Sequence, residues 1–327
     1  MLRAESHMIS ITVPVFNEQE SLPQLYSKVR DVLSGLGRPW ELILVDDGSR
    51  DGSGQIMDQL AASDPRIKVI HLRRNYGQTA AMMAGFDFAG GDVIVPIDAD
   101  LQNDPADIPR LIRTLDEGFD VCSGWRRDRK DTSLTRLFPS WLANHVISVV
   151  SGIRLHDYGC TLKAYRRDVI KDVRLYGEMH RFVPIYASWN GARVTEIPVN
   201  HHPRRFGKSN YGLERTVKVL LDLVVVKFLS KYAQKPMYVF GTFGLLNLTF
   251  SAGFAGWAIY LKLFENISLI QTPLPIVSVT LAVLGVMCVL MGLLAELLTR
   301  TYHESQAKSI YDVKSTLNVP EQNINLR

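Results

Sequence analysis

Short apolar runs alternate with amphipathic segments along the first two thirds of the chain. Runs of strand length lie at 9–15, 41–47, 67–72, 92–100, 120–124 and 192–199. Segments with helical periodicity lie at 21–36, 51–63, 78–89, 107–117, 134–151 and 166–189. Strands and helices that alternate in this order predict an α/β fold, with a mostly parallel sheet covered by helices on both faces.

The last third of the chain has a different pattern. Residues 237–261 and 274–295 contain no charged side chain, and each stretch is long enough for the ~20 residues that cross a bilayer core. We therefore predict two transmembrane helices, at about 237–261 and 274–298, within a membrane segment of 236–300. The alternative is a buried helical hairpin of a soluble protein.

A basic amphipathic segment at 212–235 precedes these apolar stretches. Its basic side chains are Arg215, Lys218, Lys227, Lys231 and Lys235. This composition favours a helix in the membrane interface, although a helix packed on a protein core shows the same pattern. Basic residues before the first apolar stretch, and Arg300 after the second, predict that both flanks are cytoplasmic. The flanks are then a cytoplasmic domain at 8–211 and a cytoplasmic tail at 301–327.

The charge and the cysteine content of the chain argue against two further classes of protein. The chain carries 37 basic and 33 acidic residues, and this near balance does not indicate a nucleic-acid-binding protein. Its three cysteines are widely separated and odd in number, which argues against a disulfide framework.

Polar side chains follow four of the predicted strands, at the point where each strand ends. They are Asn17 and Glu18, Asp46 and Asp47, Asn75, and Asp98, Asp100 and Gln102. Because ligands of such sheets bind at the carboxyl ends of the strands, these groups predict one shared site.

The stretch VPIDADLQNDP at 95–105 holds the strongest chemical signal. If the chain stays extended there, Asp98, Asp100 and Gln102 project from the same side, because side chains alternate along a strand. Two carboxylates and an amide oxygen suit Mg²⁺ or Mn²⁺, whereas the alternative is a solvated acidic loop. We expect Asp104, which precedes Pro105, to cap the next helix.

Six motifs, taken in order, carry a resemblance to a known family. They are VPVFNE (13–18), VDDGSRDGS (45–53), RNYGQTAAMMAG (74–85), DADLQNDP (98–105), DYGCTLKAYRR (157–167) and HRFVP (180–184). Together they resemble family 2 glycosyltransferases of the GT-A fold, in the branch similar to dolichol-phosphate mannose synthase, over residues 9–235. The two C-terminal spans are most similar to bacterial polyprenyl-phosphate glucosyltransferases.

The resemblance implies a nucleotide-sugar site at the first two strand ends. Pro14, Asn17 and Glu18 would line the nucleotide pocket. Asp46 would read the base, with Ser49 nearby. Capping of the next helix by Asp51 or Ser49 is a compatible alternative role for this stretch.

The same resemblance implies the residues that hold the diphosphate. Asp98 would contact the nucleotide or the donor sugar. Asp100 and Gln102 would ligate the metal ion that bridges the diphosphate. Arg205 and Lys208 would belong to a basic loop that closes over the diphosphate.

The lipid acceptor has its own implied residues. Arg126, Arg136 and Ser140 match the positions that hold the lipid phosphate, and an arginine fork suits phosphate. The alternative is that these arginines pair at the surface with Asp128 or Asp131.

Asp157, in the DYGC motif, lies where inverting relatives place their base. It is a candidate for orienting the acceptor or the sugar hydroxyls. Capping of the segment before Gly159 is the alternative.

The implied reaction is inverting transfer of a hexose from a nucleotide sugar to polyprenyl phosphate, at the bacterial inner (plasma) membrane. UDP-glucose is the favoured donor, undecaprenyl phosphate the expected acceptor, and mannose and modified arabinose are alternative sugars. A processive polysaccharide synthase is disfavoured because the QxxRW motif is replaced by EMHRFVP at 178–184. A membrane partner that binds nucleotide sugar without turnover is a further alternative, and homo-oligomerisation is left open.

Overall fold

The computed structural model describes residues 7–127, 148, 153–171, 173, 179–203, 236–305 and 310–320. The chain divides into two compact units. The first, called here the sheet unit, comprises Met1–Val224 and Lys308–Arg327. The second, called the hairpin unit, comprises Val225–Ala307. The sheet unit is therefore discontinuous in sequence, because the hairpin unit is inserted before its last segment.

Eight strands of the described residues form a single sheet. They are β1 (Ile9–Val15), β2 (Trp40–Asp46), β3 (Ile67–Leu72), β4 (Val93–Pro96), β5 (Val121–Trp125), β6 (Lys163–Arg166), β7 (Val194–Pro198) and β8 (Val313–Leu317). Their order is β7-β5-β6-β4-β1-β2-β3-β8. Only the pairs that include β6 or β8 are antiparallel among these strands, so the predicted mostly parallel sheet is confirmed.

Strands β2 and β4 are buried on both faces, which explains their continuous apolar runs. All seven residues of β2 are buried, and Ile11 of β1 lies in register with Leu42 of β2 and Val95 of β4. Parallel strands covered on both faces have this composition. The three cysteines are free, as predicted.

Helices connect the strands of the sheet unit. They are α1 (Leu22–Ser34), α2 (Ser53–Ser63), α3 (Gln78–Phe88), α4 (Ile108–Asp116), α5 (Arg167–Ile170) and α6 (Val183–Trp189). The first four lie within two residues of the predicted bounds. The single helix predicted at 166–189 is wrong, because Arg166 ends β6 and a 3₁₀ turn at Met179–Phe182 precedes α6. Of the helix predicted at 134–151, only residue 148 is described.

The C-terminal segment predicted as a tail supplies an edge strand. β8 pairs antiparallel with β3. Two side-chain contacts anchor its ends: Tyr311 donates a hydrogen bond to Asp87 Oδ2 (2.9 Å), and Asn318 Nδ2 donates to the carbonyl of Ala61 (2.7 Å). Its residues are half-buried or exposed, so hydropathy gives no signal for this strand.

Two long helices form the hairpin unit. They are α7 (Pro236–Phe264) and α8 (Leu274–Ser305), and their segments Phe240–Phe264 and Leu274–Ala295 are long and apolar enough to cross a membrane. Most large apolar side chains on both segments are exposed, including Leu263 and Ile276. A soluble core helix would bury such side chains, so this exposure favours a lipid environment.

The two helices approach closely at glycines and share polar contacts. A Cβ atom added to Gly244 would lie 2.8 Å from the carbonyl oxygen of Gly285, too close for any side chain. Further along, Ser251 Oγ donates to the Ser278 carbonyl (2.7 Å), and Ser278 Oγ donates to the Ser251 carbonyl (2.9 Å). Small residues and interhelical hydrogen bonds of this kind stabilise helix pairs in membranes.

We expect a Gly244→Ile substitution to lower the thermal stability of the hairpin unit. The new side chain would force the helices apart, and overpacking of this kind costs about 1–3 kcal/mol. Gly253→Ile is the matched control, because nothing lies within 4 Å of a Cβ at Gly253 on the same helix. Thermal unfolding followed by circular dichroism in detergent measures both variants. Equal melting temperatures would contradict the close helix contact.

Candidate active site

The loops that follow β1 and β2 are joined by hydrogen bonds. The Asn17 amide donates to Ser49 Oγ (3.1 Å), and Asn17 Oδ1 accepts from the Arg50 amide (2.8 Å). Asn17 has a φ of 56°, a left-handed conformation that asparagine tolerates better than most residues. The Glu18 amide donates to Ser53 Oγ (2.9 Å) at the start of α2. These residues therefore lie together, as the sequence predicts.

Further contacts extend this network across the sheet edge. Asp47, after β2, accepts hydrogen bonds from the amides of Tyr76 (2.7 Å) and Gly77 (2.9 Å), which follow β3. Gln78 Nε2, at the start of α3, donates to Asp98 Oδ1 (2.9 Å), which follows β4. The carboxyl ends of four adjacent strands are thus connected at one edge.

Asp46 is held by His71, which was not among the predicted site residues. His71 Nδ1 lies 2.9 Å from Asp46 Oδ2, and His71 Nε2 lies 2.9 Å from Asp58 Oδ1. Burial raises the pKa of Asp46, but hydrogen bonds from His71 and Ser49 lower it by more, so the net pKa lies below the usual value. The hydrogen bond to Asp46 raises the pKa of His71. Asp46 and His71 are in register on neighbouring strands, which only the pairing of β2 with β3 reveals.

The stretch after β4 does not stay extended, and this part of the sequence prediction is wrong. The strand ends at Pro96, and Leu101 has a φ of 60°. Asp100 Oδ1 accepts a hydrogen bond from the Gln102 amide (3.1 Å), which closes a tight turn. The three predicted side chains therefore come from a turn rather than from one face of a strand.

The electrostatics of this turn fit a bound cation. Burial raises the pKa of Asp98 to about 6, and the neighbouring Asp100 carboxylate adds to the rise. Arg126 and Lys163 offset this rise only in part, so further positive charge beside the two carboxylates would favour their ionised forms. In the described part of the chain, no three His, Cys, Asp or Glu side chains could hold a metal by themselves. A divalent ion here would need further oxygen ligands, and water and substrate phosphate are typical for Mg²⁺.

Arg126 and Asp157 form a buried ion pair beside this turn. Arg126 Nε donates to Asp157 Oδ2 (2.7 Å), and a second guanidinium nitrogen donates to Oδ1 (2.9 Å). Burial lowers the pKa of Arg126, but the bond to Asp157 raises it by more, so the guanidinium stays charged. Asp157 also accepts from the Gly159 amide (3.0 Å), as the capping alternative predicts.

A buried lysine supports the loop that carries Asp157. Lys163 Nζ donates to the carbonyls of Tyr158 and Cys160. Burial lowers its pKa to about 8. Lys163 was not among the predicted site residues, because a lysine in a short mixed strand gives no local sign of burial.

One further predicted residue, Asp104, is described in the structure, and several others are not. Asp104 accepts from the Ala106 amide (3.0 Å), which confirms the predicted cap. The predicted residues Arg136, Ser140, Arg205 and Lys208, the pairing residues Asp128 and Asp131, and the segment 213–235 lie outside the described residues.

A cavity of about 300 Å³ opens at the ends of β2, β3 and β8. The residues that line it include Phe16, Asp46, Ser49, Arg50, His71 and Lys314. Two predicted nucleotide residues, Asp46 and Ser49, are on its wall. Pro14, Asn17 and Glu18 are not among the lining residues, and neither are Asp98, Asp100 and Gln102.

The acidic turn thus lies at the carboxyl edge of a mostly parallel sheet, which is where ligands of such α/β sheets bind. The chain belongs to glycosyl transferase family 2, whose family model matches residues 10–174. The predicted family resemblance is confirmed.

Similar proteins extend the likeness along nearly the whole chain. Dodecaprenyl-phosphate galacturonate synthase of Rhizobium johnstonii is 41% identical over 319 residues, covering 95% of this chain and 93% of that protein. Undecaprenyl-phosphate 4-deoxy-4-formamido-L-arabinose transferase of Shewanella sediminis is 37% identical over 311 residues, covering 94% and 92%. The relatives are thus polyprenyl-phosphate sugar transferases.

Solved structures share the fold of about two thirds of the chain. Glucosyl-3-phosphoglycerate synthase of Mycobacterium tuberculosis, in complex with Mn²⁺, UDP and phosphoglyceric acid, matches with a TM-score of 0.53 and 17% identity, covering 68% of this chain and 78% of that chain. The same enzyme with Mn²⁺ and UDP-glucose gives a TM-score of 0.52, with the same identity and coverage. At this identity the likeness supports the fold alone.

Proposed function

We propose that this protein transfers a sugar from a nucleotide donor to polyprenyl phosphate. The observation that carries the proposal is the match to two polyprenyl-phosphate transferases along more than nine tenths of this chain, hairpin unit included. An acceptor with a polyprenyl tail partitions into the bilayer while its phosphate stays at the head-group plane. A catalytic sheet unit tethered by two apolar helices suits that acceptor.

Four described side chains have proposed roles in the reaction. Asp100 and Gln102 would hold Mg²⁺ or Mn²⁺, which neutralises charge on the leaving nucleoside diphosphate when bound. Asp98 would contact the donor sugar. Arg126 would orient the acceptor phosphate, one oxygen of which attacks C1 of the sugar with inversion while the bond to the diphosphate breaks. Because the acceptor is already anionic, positioning and charge neutralisation suffice without a strong base.

Asp157 is proposed as a positioning residue. Both of its carboxylate oxygens accept hydrogen bonds from Arg126, and one also accepts from Gly159. A carboxylate engaged in this way is poorly placed to remove a proton. Its role would be to hold the Arg126 guanidinium in a fixed orientation.

The donor sugar is proposed to have the galacto configuration. The sugars in the relatives' names, galacturonate and a 4-substituted L-arabinose, share their ring configuration at C2, C3 and C4 and differ at C5. UDP-glucose, which has the opposite configuration at C4, is the second candidate, and it is supported by the motif resemblance. The uridine nucleotide is itself part of the proposal.

A donor panel with undecaprenyl phosphate and Mn²⁺ or Mg²⁺ tests the function and the sugar together. UDP-galacturonate and UDP-glucuronate differ only at C4, and so do UDP-galactose and UDP-glucose. In whichever of these two pairs is turned over faster, we expect the galacto member to be turned over at least about tenfold faster than the gluco member. A site that hydrogen-bonds a sugar hydroxyl discriminates strongly against a sugar that presents it differently. If turnover instead favours UDP-glucuronate or UDP-glucose, glucose becomes the proposed donor sugar. Absence of turnover with every donor, including the formamido-arabinose nucleotide, would contradict the transferase function.

The sheet unit is proposed to lie on the cytoplasmic face of the plasma membrane. The chain leaves the sheet unit before α7 and rejoins it at β8, and two crossings return a chain to the side that it left. The basic residues at the flanks favour the cytoplasm. A Ser268→Cys variant, between α7 and α8, should react with an impermeant maleimide outside intact cells, whereas Ser315→Cys on β8 should not. The reverse pattern would contradict the orientation.

A further inference from the structure

The cavity at the ends of β2, β3 and β8 includes a residue from beyond the hairpin unit. Lys314 lies on β8, which follows α8 in the chain, yet its side chain lines the same cavity as Asp46 and Ser49. The motif resemblance ends at residue 235 and gives Lys314 no role. Its place on the cavity wall follows only from the pairing of β8 with β3.

A β-bulge sets the position of Lys314. Along the antiparallel pair, His71 lies opposite Ser315 and Leu72 lies opposite Val313, so Lys314 is the extra residue without a partner across the strands. The Arg73 amide donates to the Asp312 carbonyl (3.0 Å) and closes the ladder beyond the bulge. Bulges commonly redirect a side chain next to a binding site.

The cavity walls suit a nucleoside. An aromatic ring is available from Phe16, which is 39% exposed. Asp46 supplies a hydrogen-bond acceptor, and Arg50 and Lys314 supply donors. A nucleobase has a flat apolar face together with ring N–H and carbonyl groups, which Phe16 and these polar groups match. The cavity volume is at the lower end of the range for small-ligand pockets.

The cavity is separated from the acidic turn by the width of the sheet edge. The turn with Asp98 and Asp100 follows β4, and β1 and β2 lie between β4 and β3. Neighbouring strands are about 4.8 Å apart, so β3 and β4 are separated by roughly 14 Å. A donor whose diphosphate lies at the acidic turn would extend its nucleoside along this edge into the cavity.

We propose that Lys314 binds the nucleoside half of the donor, its ammonium donating a hydrogen bond to an acceptor oxygen of the base or ribose. The proposal rests on the proposed nucleotide-sugar function and adds a donor-binding residue that follows the membrane helices. The bulge gives Lys314 its place on the cavity wall, which also holds residues of the loops after β1 and β2.

The test compares nucleoside and nucleotide binding in the full-length protein in detergent. Calorimetry measures the dissociation constant of UDP, and an NMR titration measures that of uridine, for wild type, Lys314→Met and Ser315→Met. We expect Lys314→Met to weaken both ligands by about tenfold, the effect of losing one charged hydrogen bond at a partly exposed site. Ser315→Met, the neighbouring exposed position, should bind both ligands as wild type does. Lys314→Arg should recover most of the affinity.

Steady-state kinetics provide a second readout. Lys314→Met should raise KM for the nucleotide sugar and leave KM for polyprenyl phosphate unchanged. Weakening confined to UDP would place Lys314 at the diphosphate and overturn the proposal, as would unchanged binding of both ligands. A wild type that binds neither uridine nor UDP would also overturn it. A wild type that binds UDP but transfers no sugar would instead contradict the proposed function and leave the measured role of Lys314 intact.

Discussion

An Asp100→Asn variant will lose nearly all metal-dependent sugar transfer, with turnover reduced by about a thousandfold at saturating donor. A bound metal ion contributes several kcal/mol to stabilising charge in the transition state, and each 1.36 kcal/mol corresponds to a factor of ten. Asp100 is the proposed carboxylate ligand for that ion, and its side chain is already ordered by the turn that it forms with Gln102. Nucleoside diphosphate release, measured with undecaprenyl phosphate and varied Mn²⁺ or Mg²⁺, gives the comparison.

Asp104→Asn is the matched control for this prediction. Asp104 lies in the same acidic stretch, but it accepts from the Ala106 amide and from His202, so it has a structural role. This variant should keep turnover within a few-fold of wild type. Removal of divalent ions with EDTA should inactivate the wild type and the Asp104 variant alike. Full metal-dependent activity in Asp100→Asn would contradict the assignment of Asp100.

An Asp157→Asn variant will be both less stable and much less active. Removal of one partner from a buried ion pair costs about 3–5 kcal/mol, because the other charge stays buried without compensation. Turnover should fall by about a hundredfold, the effect of misplacing a positioned group by about 1 Å. Donor KM should change little, because Asp157 contacts Arg126 and is not among the residues that line the cavity proposed for the nucleoside. Thermal unfolding and initial rates measure the two effects.

Two comparisons complete this test of Asp157. The first is a control for stability, and the second distinguishes positioning from base catalysis. The exposed Arg38–Asp116 pair has similar two-point geometry, with distances of 3.2 and 2.6 Å, and Asp116→Asn should cost no more than about 1 kcal/mol. If Asp157 only orients Arg126, the pH–rate profile of the variant should run parallel to that of wild type. Loss of the acidic limb would show instead that Asp157 acts as a base. Near-normal turnover of the variant would show that Asp157 has no role in catalysis.

The positions of β1, β2 and β3 along the chain were predictable because strands buried on both faces consist largely of apolar residues. β1 and β3 have the predicted bounds, and β2 is displaced by one residue. The apolar run at 42–45 of β2 is continuous, as expected for a parallel strand covered by helices on both faces. The grouping of Asn17, Asp47 and Asp98 at one edge was predictable because the carboxyl ends of parallel strands lie at the same edge of a sheet.

The features that could not be predicted from the sequence depend mostly on contacts that only the folded chain makes. Lys163 is 2% exposed although it is charged, because backbone carbonyls of its own loop solvate the ammonium. His71 contacts Asp46 only because β2 and β3 pair in one register. The turn at Leu101 replaces the expected extended chain, because the Asp100 carboxylate offers the backbone a local hydrogen bond. β8 is half-exposed and lacks an apolar run.

The late position of β8 in the chain imposes an order on biosynthesis. The ribosome must produce α7 and α8, of 29 and 32 residues, before the strand that covers the edge of β3 exists. Until then the nascent sheet has an open edge, which is prone to pairing with other chains. Translation at about 5–20 residues per second makes this interval several seconds long. Maturation of the catalytic sheet is therefore coupled in time to the production of its membrane anchor.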